Sequence, residues 1–424
     1  MRVLSQRGED SRGVIMATSW QTAKLGELAN FKTGKLDSNA AVPNGQYPFF
    51  TCSQDTLQTN TFSFDTECVL LAGNNANGVY PLKYFRGKFD AYQRTYVVTT
   101  RNPDRLTNKF LYYALRPKLS EFRSISTGAA TKFLTLTILN ETEIQLPPLP
   151  VQKRIAGILS AYDELIENNQ RRIKILESMA RSLYREWFIH FRYPGSESTP
   201  LVPSPLGPIP KGWEVKKLES LMSHHIGGGW GKDTRDDDNN EPAWVIRGTD
   251  IPNARIAQVS GVPYRFHTSS NLRSRKLAAG DILFEVSGGS KGQPVGRTLF
   301  ITPELMSAFD GDVICASFCK RIRPDAVGYG SELLYLSFLE GYESGEIEQF
   351  QVQSTGISNF KWTEYIAKTE RVIPPALLRL SFRERVAPLF TQIATLGLQI
   401  QNLRQTRDLL LPRLLSGQIN LAEN

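Results

Sequence analysis

The sequence predicts an α+β chain built twice from one plan. Two α/β globular domains are each followed by a long amphipathic helix, and the helices pair as an antiparallel coiled coil in a pseudo-twofold internal repeat. Three observations predict this. Short segments recur in the same order in both halves. Each half ends in a run with apolar residues at heptad spacing. A proline-rich stretch separates the halves.

The 424 residues leave room for two or three domains. With 41% hydrophobic and 22% charged residues the chain can build packed cores, which excludes a mainly disordered protein. No apolar run reaches membrane-spanning length, so no membrane partner is expected. Residues 1–19 lack the apolar stretch of a signal peptide and are expected to form a flexible leader. The net charge of +8 fits a nucleic-acid partner without requiring one. Cys52, Cys68, Cys315 and Cys319 fit a reduced, cytoplasmic setting. Cys315 and Cys319 form a C-x3-C pair with no second pair or histidine cluster nearby, so buried thiols fit better than zinc.

The first globular domain is expected over 20–146. It opens on Trp20-Gln-Thr-Ala-Lys-Leu25-Gly-Glu-Leu28, paralleled by Trp213-Glu-Val-Lys-Lys-Leu218-Glu-Ser-Leu221. Glu67–Leu71 and Thr95–Thr99 read as strands, and Phe110–Leu119 as a helix. Ser126-Thr127-Gly128 and Pro147-Pro148 close the copy; Ser354-Thr355-Gly356 and Pro374-Pro375 close the other. The copies are offset by 193 residues at the tryptophan and 228 at Ser-Thr-Gly, so the second domain is longer.

A long helix is expected over 147–190. Ile155, Tyr162, Asn169, Leu176 and Leu183 form one heptad series; Leu159, Ile166, Ile173, Ala180 and Trp187 form the other. At about 1.5 Å per residue a helix over 151–188 would run roughly 57 Å, too long to bury its seam alone. Asn169 either sets register or is solvated. Residues 191–212 carry six prolines and read as a stiff connector rather than a folded element. The second globular domain is expected over 213–373, with strands at Asp281–Phe284 and Asp312–Cys315 and a helix at Ser331–Glu340. The second helix, over 374–424, has Val386, Ile393, Ile400 and Leu414 in one series, interrupted only at Arg407, and Leu389, Leu396, Leu403 and Leu410 in the other. Pro388 and Pro412 are expected to mark or kink its ends, and Gly397 to weaken its middle.

Catalytic signatures are missing. The Pro-Pro pairs follow Leu146 and Ile373, not the Asn or Asp of an adenine methyltransferase loop, and no paired acids precede a Glu-x-Lys. Gly227-Gly-Gly-Trp-Gly231-Lys232-Asp233 lacks the spacing of a phosphate-cradling loop. The remaining candidates suit binding. Asn74, Asn75 and Asn77 sit in a Gly/Asn loop and can either read adenine edges or simply form a turn. Arg86, Lys88, Tyr92 and Arg94 interleave bases with aromatics, as a nucleic-acid surface or a solvated hairpin would. Ser287, Lys291, Gln293 and Arg297 belong to a Gly-rich basic loop suited to phosphate or to surface mobility. Lys132 and Lys361 follow the Ser-Thr-Gly turns, and Lys35, Lys232 and Arg247 complete the candidate DNA contacts.

These pieces together resemble the specificity subunit of type I restriction-modification systems. The resemblance rests on Gly212-Trp213-Glu214 after the prolines and on Leu146-Pro-Pro-Leu-Pro-Val-Gln152-Lys-Arg-Ile155 leading into Ala156-Gly-Ile-Leu159. It rests also on Leu409-Leu-Leu-Pro412-Arg-Leu-Leu-Ser-Gly417-Gln-Ile419. It implies two target-recognition domains, each reading half of a bipartite site in double-stranded DNA. It implies that the paired helices set the spacer and dock two modification subunits, with motor-nuclease subunits joining in the full complex. The chain itself would be non-catalytic and bind no cofactor or metal; S-adenosylmethionine, ATP and Mg would belong to the partner subunits. One departure is Ile373-Pro-Pro-Ala-Leu-Leu-Arg379-Leu-Ser-Phe-Arg-Glu-Arg385-Val386, which lacks the Gln-Lys-Arg-Ile form and puts equivalence of the two docking surfaces in question. A self-contained nuclease or methyltransferase, and a coiled-coil scaffold that never touches DNA, are the competing readings.

Overall fold

A computed structural model describes residues 20–75, 78–126, 131–288, 294–325, 328–354, 357–419 and 421. The chain divides into two compact units, Met1–Glu164 with Leu403–Asn424, and Leu165–Asn402. The division cuts through both long helices, Leu149–Tyr184 and Ala376–Leu415, instead of falling in the proline-rich stretch.

In the first unit, the strand Phe64–Ala72 alternates between two cores. Cys68 and Leu70 are buried with Phe50, Phe89, Ala91 and Val97 on one face. Val69 and Leu71 are buried on the other with Phe110, Leu111 and Leu115. This strand is third in a six-stranded sheet ordered Ala29–Thr33, Thr95–Thr100, Phe64–Ala72, Leu82–Ala91, Tyr47–Phe50, Leu57–Thr59. All neighbours are antiparallel except Tyr47–Phe50 against Leu82–Ala91. The helix expected over 110–119 is two helices, Asn108–Leu115 and Lys118–Ile125, broken at Pro117, which has no N–H to continue the first.

The ends of the domain are stapled together. Gln21–Lys24 pairs antiparallel with Glu143–Leu146, and the Leu25 N–H donates to the Thr142 carbonyl at 2.8 Å. The second unit repeats the closure. Glu214–Lys217 pairs with Glu370–Ile373, and the Leu218 N–H donates to the Thr369 carbonyl at 2.8 Å.

Between those ends the second unit differs. A four-stranded sheet runs Met222–Gly227, Cys319–Pro324, Ile282–Glu285, Thr298–Phe300. A three-stranded sheet runs Tyr264–His267, Glu241–Ile246, Val313–Cys315, with the last pair parallel. A second three-stranded sheet joins Ser287–Gly288, Ile357–Phe360 and Gln351–Ser354. The buried Phe284 ring meets Phe338, Phe360 and Trp362 at 5.1–5.4 Å, which locks the helix Ser331–Glu343 and the segment after the last strand onto the four-stranded sheet.

The long helices pair antiparallel within each unit. In the first, Asp163 bridges Arg407 at 2.6 Å while Arg154 donates to the Leu421 carbonyl. In the second, Asn169 donates to Gln399 at 3.4 Å while Trp187 meets Phe382 at 5.6 Å. Ile155, Leu159, Ile166, Asn169, Ile173, Ala180 and Trp187 are buried; Tyr162, Leu176 and Leu183 are half-buried. On the other helix Val386, Ile393, Leu396 and Ile400 are buried, and Leu403 and Leu410 half-buried.

Two local expectations are corrected and one gains a packing reason. The second helix runs through Pro388 and Pro412: both prolines are exposed, and burial of Val386, Phe390, Leu411 and Leu414 around them outweighs the roughly 3 kcal/mol that an interior proline costs. Gly397, expected to weaken the middle of the helix, has a packing reason to be there: a Cβ would overlap the Ile256 carbonyl. The 191–212 segment is folded: Leu201–Val202 pairs with Ile209–Pro210, and Phe191 and Tyr193 meet the Trp213 ring at 5.4 and 5.3 Å.

Candidate nucleic-acid interface

In the first unit, six of the expected contact residues converge through backbone pairing. Asn74 and Asn75 form a two-residue strand opposite Phe133 and Lys132. The Gly73 N–H donates to the Arg94 carbonyl at 2.8 Å, and a Cβ on Gly73 would stand 2.6 Å from that oxygen, so glycine is required there. Leu36 bridges Tyr92, which brings the exposed Lys35 to the same turn. The Arg94 guanidinium lies over the Phe133 ring at 5.6 Å. Asn77 lies outside the described residues.

Three residues join this cluster that the sequence did not single out. Gln93 and Phe133 line a cleft of about 520 Å3 with Thr33, Gly73, Arg94 and Tyr96. Arg123 stands with Lys132 around Gly78, whose φ of +65° needs no side chain. Gln93 and Phe133 each adjoin a candidate in sequence; nothing local to Arg123 points to it. No carboxylate pairs with Arg94, Arg123 or Lys132 among the described residues. Arg86 and Lys88 lie away from the cleft on the strand Leu82–Ala91, exposed but opposite Glu67 and Asp65 in register, so this stretch is charge-balanced.

In the second unit the candidate cations among the described residues already have partners. Arg297 is corrected from a phosphate contact to a half-buried structural residue: its guanidinium grips Glu285 with two bonds, at 2.8 and 2.5 Å, and the carboxylate is only 2% exposed. The hydrogen bonds that Arg297 donates to Glu285 raise its pKa above the ordinary value. Arg247 is likewise committed, bidentate to Asp250 at 2.9 and 2.8 Å with a further bond to the Gly261 carbonyl. Lys232 is exposed and paired with Asp236 at 2.6 Å; Lys361 is exposed and pairs with Glu364 at 3.4 Å. Ser287 is buried and donates to Asn359 at 2.7 Å. Lys291 and Gln293 lie outside the described residues.

The Gly227–Lys232 run has a packing explanation. A Cβ on Gly228 would overlap the Cys315 and Ala316 carbonyls, and Gly231 has φ +69° against the His267 ring. These glycines let segments of the second unit approach one another, and they present Trp230, 41% exposed, stacked on Arg265 at 4.3 Å. Cys315 and Cys319 are buried free thiols, and burial pushes Cys315 up to about 12. Among the described residues no group of His, Cys, Asp or Glu is arranged to hold a metal ion, and no helix is long and apolar enough to cross a membrane.

Comparison with known proteins follows this geometry. The family described as type I restriction modification DNA specificity domain matches residues 18–178. The type I restriction enzyme EcoDI specificity subunit of Escherichia coli is 38% identical over 159 residues, which are 38% of this chain and 34% of that protein. The chain thus spans about a third of that relative. The MjaIX specificity subunit of Methanocaldococcus jannaschii is 28% identical over 331 residues, 76% of this chain and 71% of that protein. The crystal structure of a type I restriction-modification system S subunit from M. genitalium shares the fold, with a TM-score of 0.59 at 15% identity over 93% of this chain and 96% of that one.

Proposed function

We propose that this chain, which belongs to the family of type I restriction-modification specificity subunits, recognises a bipartite site in double-stranded DNA and leaves the chemistry to partner subunits. Each globular domain reads one half-site. The paired helices set the spacer and dock two modification subunits, and motor-nuclease subunits join the full complex. S-adenosylmethionine, ATP and Mg belong to those partners. The chain acts in the cytoplasm, with its cysteines as thiols.

The observation that carries the reading is the duplicated closure. Leu25 to Thr142 and Leu218 to Thr369 are the same backbone bond in two copies, while the sheets inside each closure differ in strand order. A shared frame with divergent interiors supports two readers of dissimilar half-sites. The mechanism is additive. Each base pair contributes about 1–3 kcal/mol of discrimination, and two readers combine those contributions only when the half-sites lie at matching separation and rotation.

The test exchanges residues 20–146 for the corresponding region of a relative and maps methylation by the assembled complex. One half-site should change and the other persist. A change in both, or in neither, would remove the two-reader model. Inserting one helical turn into each long helix, beside Asn169 and Gln399, should shift the tolerated spacer; an unaltered spacer would mean that the helices do not measure it.

A further inference from the structure

The turn Tyr92-Gln93-Arg94 is held from four directions. The Tyr92 N–H donates to the Phe50 carbonyl at 2.9 Å and the Gln93 N–H to the Leu36 carbonyl at 3.0 Å. The Thr95 N–H closes the turn on the Tyr92 carbonyl at 2.8 Å, and the Arg94 carbonyl accepts from Gly73. The backbone is thus tied to strands and loops distant in sequence, while the Gln93 and Arg94 side chains remain exposed. Arg94 has no carboxylate to hold it among the described residues. It rests instead on the Phe133 ring at 5.6 Å, which orients a planar guanidinium without consuming its donors. Phe133 is itself 38% exposed, an apolar residue left facing the cleft.

An exposed, unpaired and stacked arginine on a rigid turn beside a glutamine is suited to base edges more than to phosphate. Arginine matches guanine O6 and N7 with two donors, and glutamine matches adenine N6 and N7. We propose that this turn is the base-reading element of the first domain, with Arg94 recognising a guanine in the major groove, Gln93 the neighbouring base, and Phe133 positioning Arg94. This rests on the DNA-recognition reading above and names which residues of that interface specify sequence.

The test uses the complete complex with its modification subunits. Sequence preference is read from selection of randomised bipartite duplexes by wild type, Arg94→Lys, Arg94→Ala, Gln93→Ala and Phe133→Ala. Arg94→Ala should relax one G·C position of one half-site by roughly tenfold to a hundredfold. Arg94→Lys should relax it less far, because an ammonium keeps the charge and can still donate to guanine but loses the rigid planar fork and its stacking on Phe133. Gln93→Ala should relax the adjacent position, and Phe133→Ala should partly reproduce the arginine loss. Persistence of the second half-site preference serves as the folding control. Weaker binding with full retention of selectivity in both Arg94→Lys and Arg94→Ala would make Arg94 a phosphate contact and overturn the proposal. So would an unchanged first half-site in Arg94→Ala. A wild-type complex that selects no sequence would remove the DNA-recognition reading itself, a separable outcome.

Discussion

Gln152 and Arg379 hold equivalent places in the two copies: each donates a side-chain hydrogen bond at 2.9 Å to the carbonyl of the first proline of its Pro-Pro pair, Pro147 and Pro374. Their backbone N–H groups match as well, bonding to Pro148 at 3.0 Å and Pro375 at 3.1 Å. The two helix starts therefore share a geometry although Gln-Lys-Arg-Ile appears in only one of them. The residues are not equally loaded. Gln152 is fully buried and also donates to the Arg105 carbonyl and accepts from the Thr107 N–H. Arg379 is half-buried.

Gln152→Ala should accordingly destabilise the first unit by about 2–4 kcal/mol, because it removes the partner of the half-buried Thr107 N–H and of the Arg105 and Pro147 carbonyls. Arg379→Ala should cost about 1 kcal/mol, since water reaches the freed carbonyl. Urea unfolding measures both. Equal losses would show that the Gln152 network is not the stronger anchor.

The two glycines of the helices predict opposite signs. At Gly397 a Cβ would overlap the Ile256 carbonyl, so Gly397→Ala should destabilise by about 3 kcal/mol. Gly157 has open space around it in a helix interior, so Gly157→Ala should stabilise by about 1 kcal/mol. Thermal melting of the two variants decides; a tolerated alanine at 397 would mean that the helix and the Ile256 segment do not approach as described.

Arg297→Ala strands the Glu285 carboxylate, 2% exposed, without its partner. The expected loss is about 3–5 kcal/mol of stability in the second unit. The salt dependence of DNA binding should not change in whatever protein remains folded, because Arg297 contributes no free charge. A flattened salt slope with unaltered stability would return Arg297 to the DNA contacts.

His267 predicts a pH dependence. It is 1% exposed, neither ring nitrogen has a hydrogen-bond partner among the described residues, and burial with Arg265 and Arg275 nearby lowers its pKa from 6.5. The unfolded chain binds a proton as pH falls through 6.5 while the folded chain resists, so the contribution is present above 6.5 and lost below it. The loss is limited to about 1.4 kcal/mol per pH unit. Between pH 7 and pH 5 the wild type should lose stability faster than His267→Gln; parallel curves would show that the folded site accepts the charged ring.

The amino-acid sequence by itself determined the duplicated plan, the two long helices and four of the strands. Those features depend on local signals: turn residues, period-two and heptad spacing, and matching segments at the ends of each copy. The Gln93–Arg94 turn shows where such signals stop. In sequence Arg94 and Arg297 are alike, two arginines that both read as candidate DNA contacts. Only the tertiary structure places Glu285 against one and Phe133 against the other. The same holds for Arg407, which interrupts a heptad series yet is half-buried against Asp163, 244 residues away. Whether a charge is free or committed is set by what the fold brings within about 4 Å of it, and spacing along the chain carries no record of that distance.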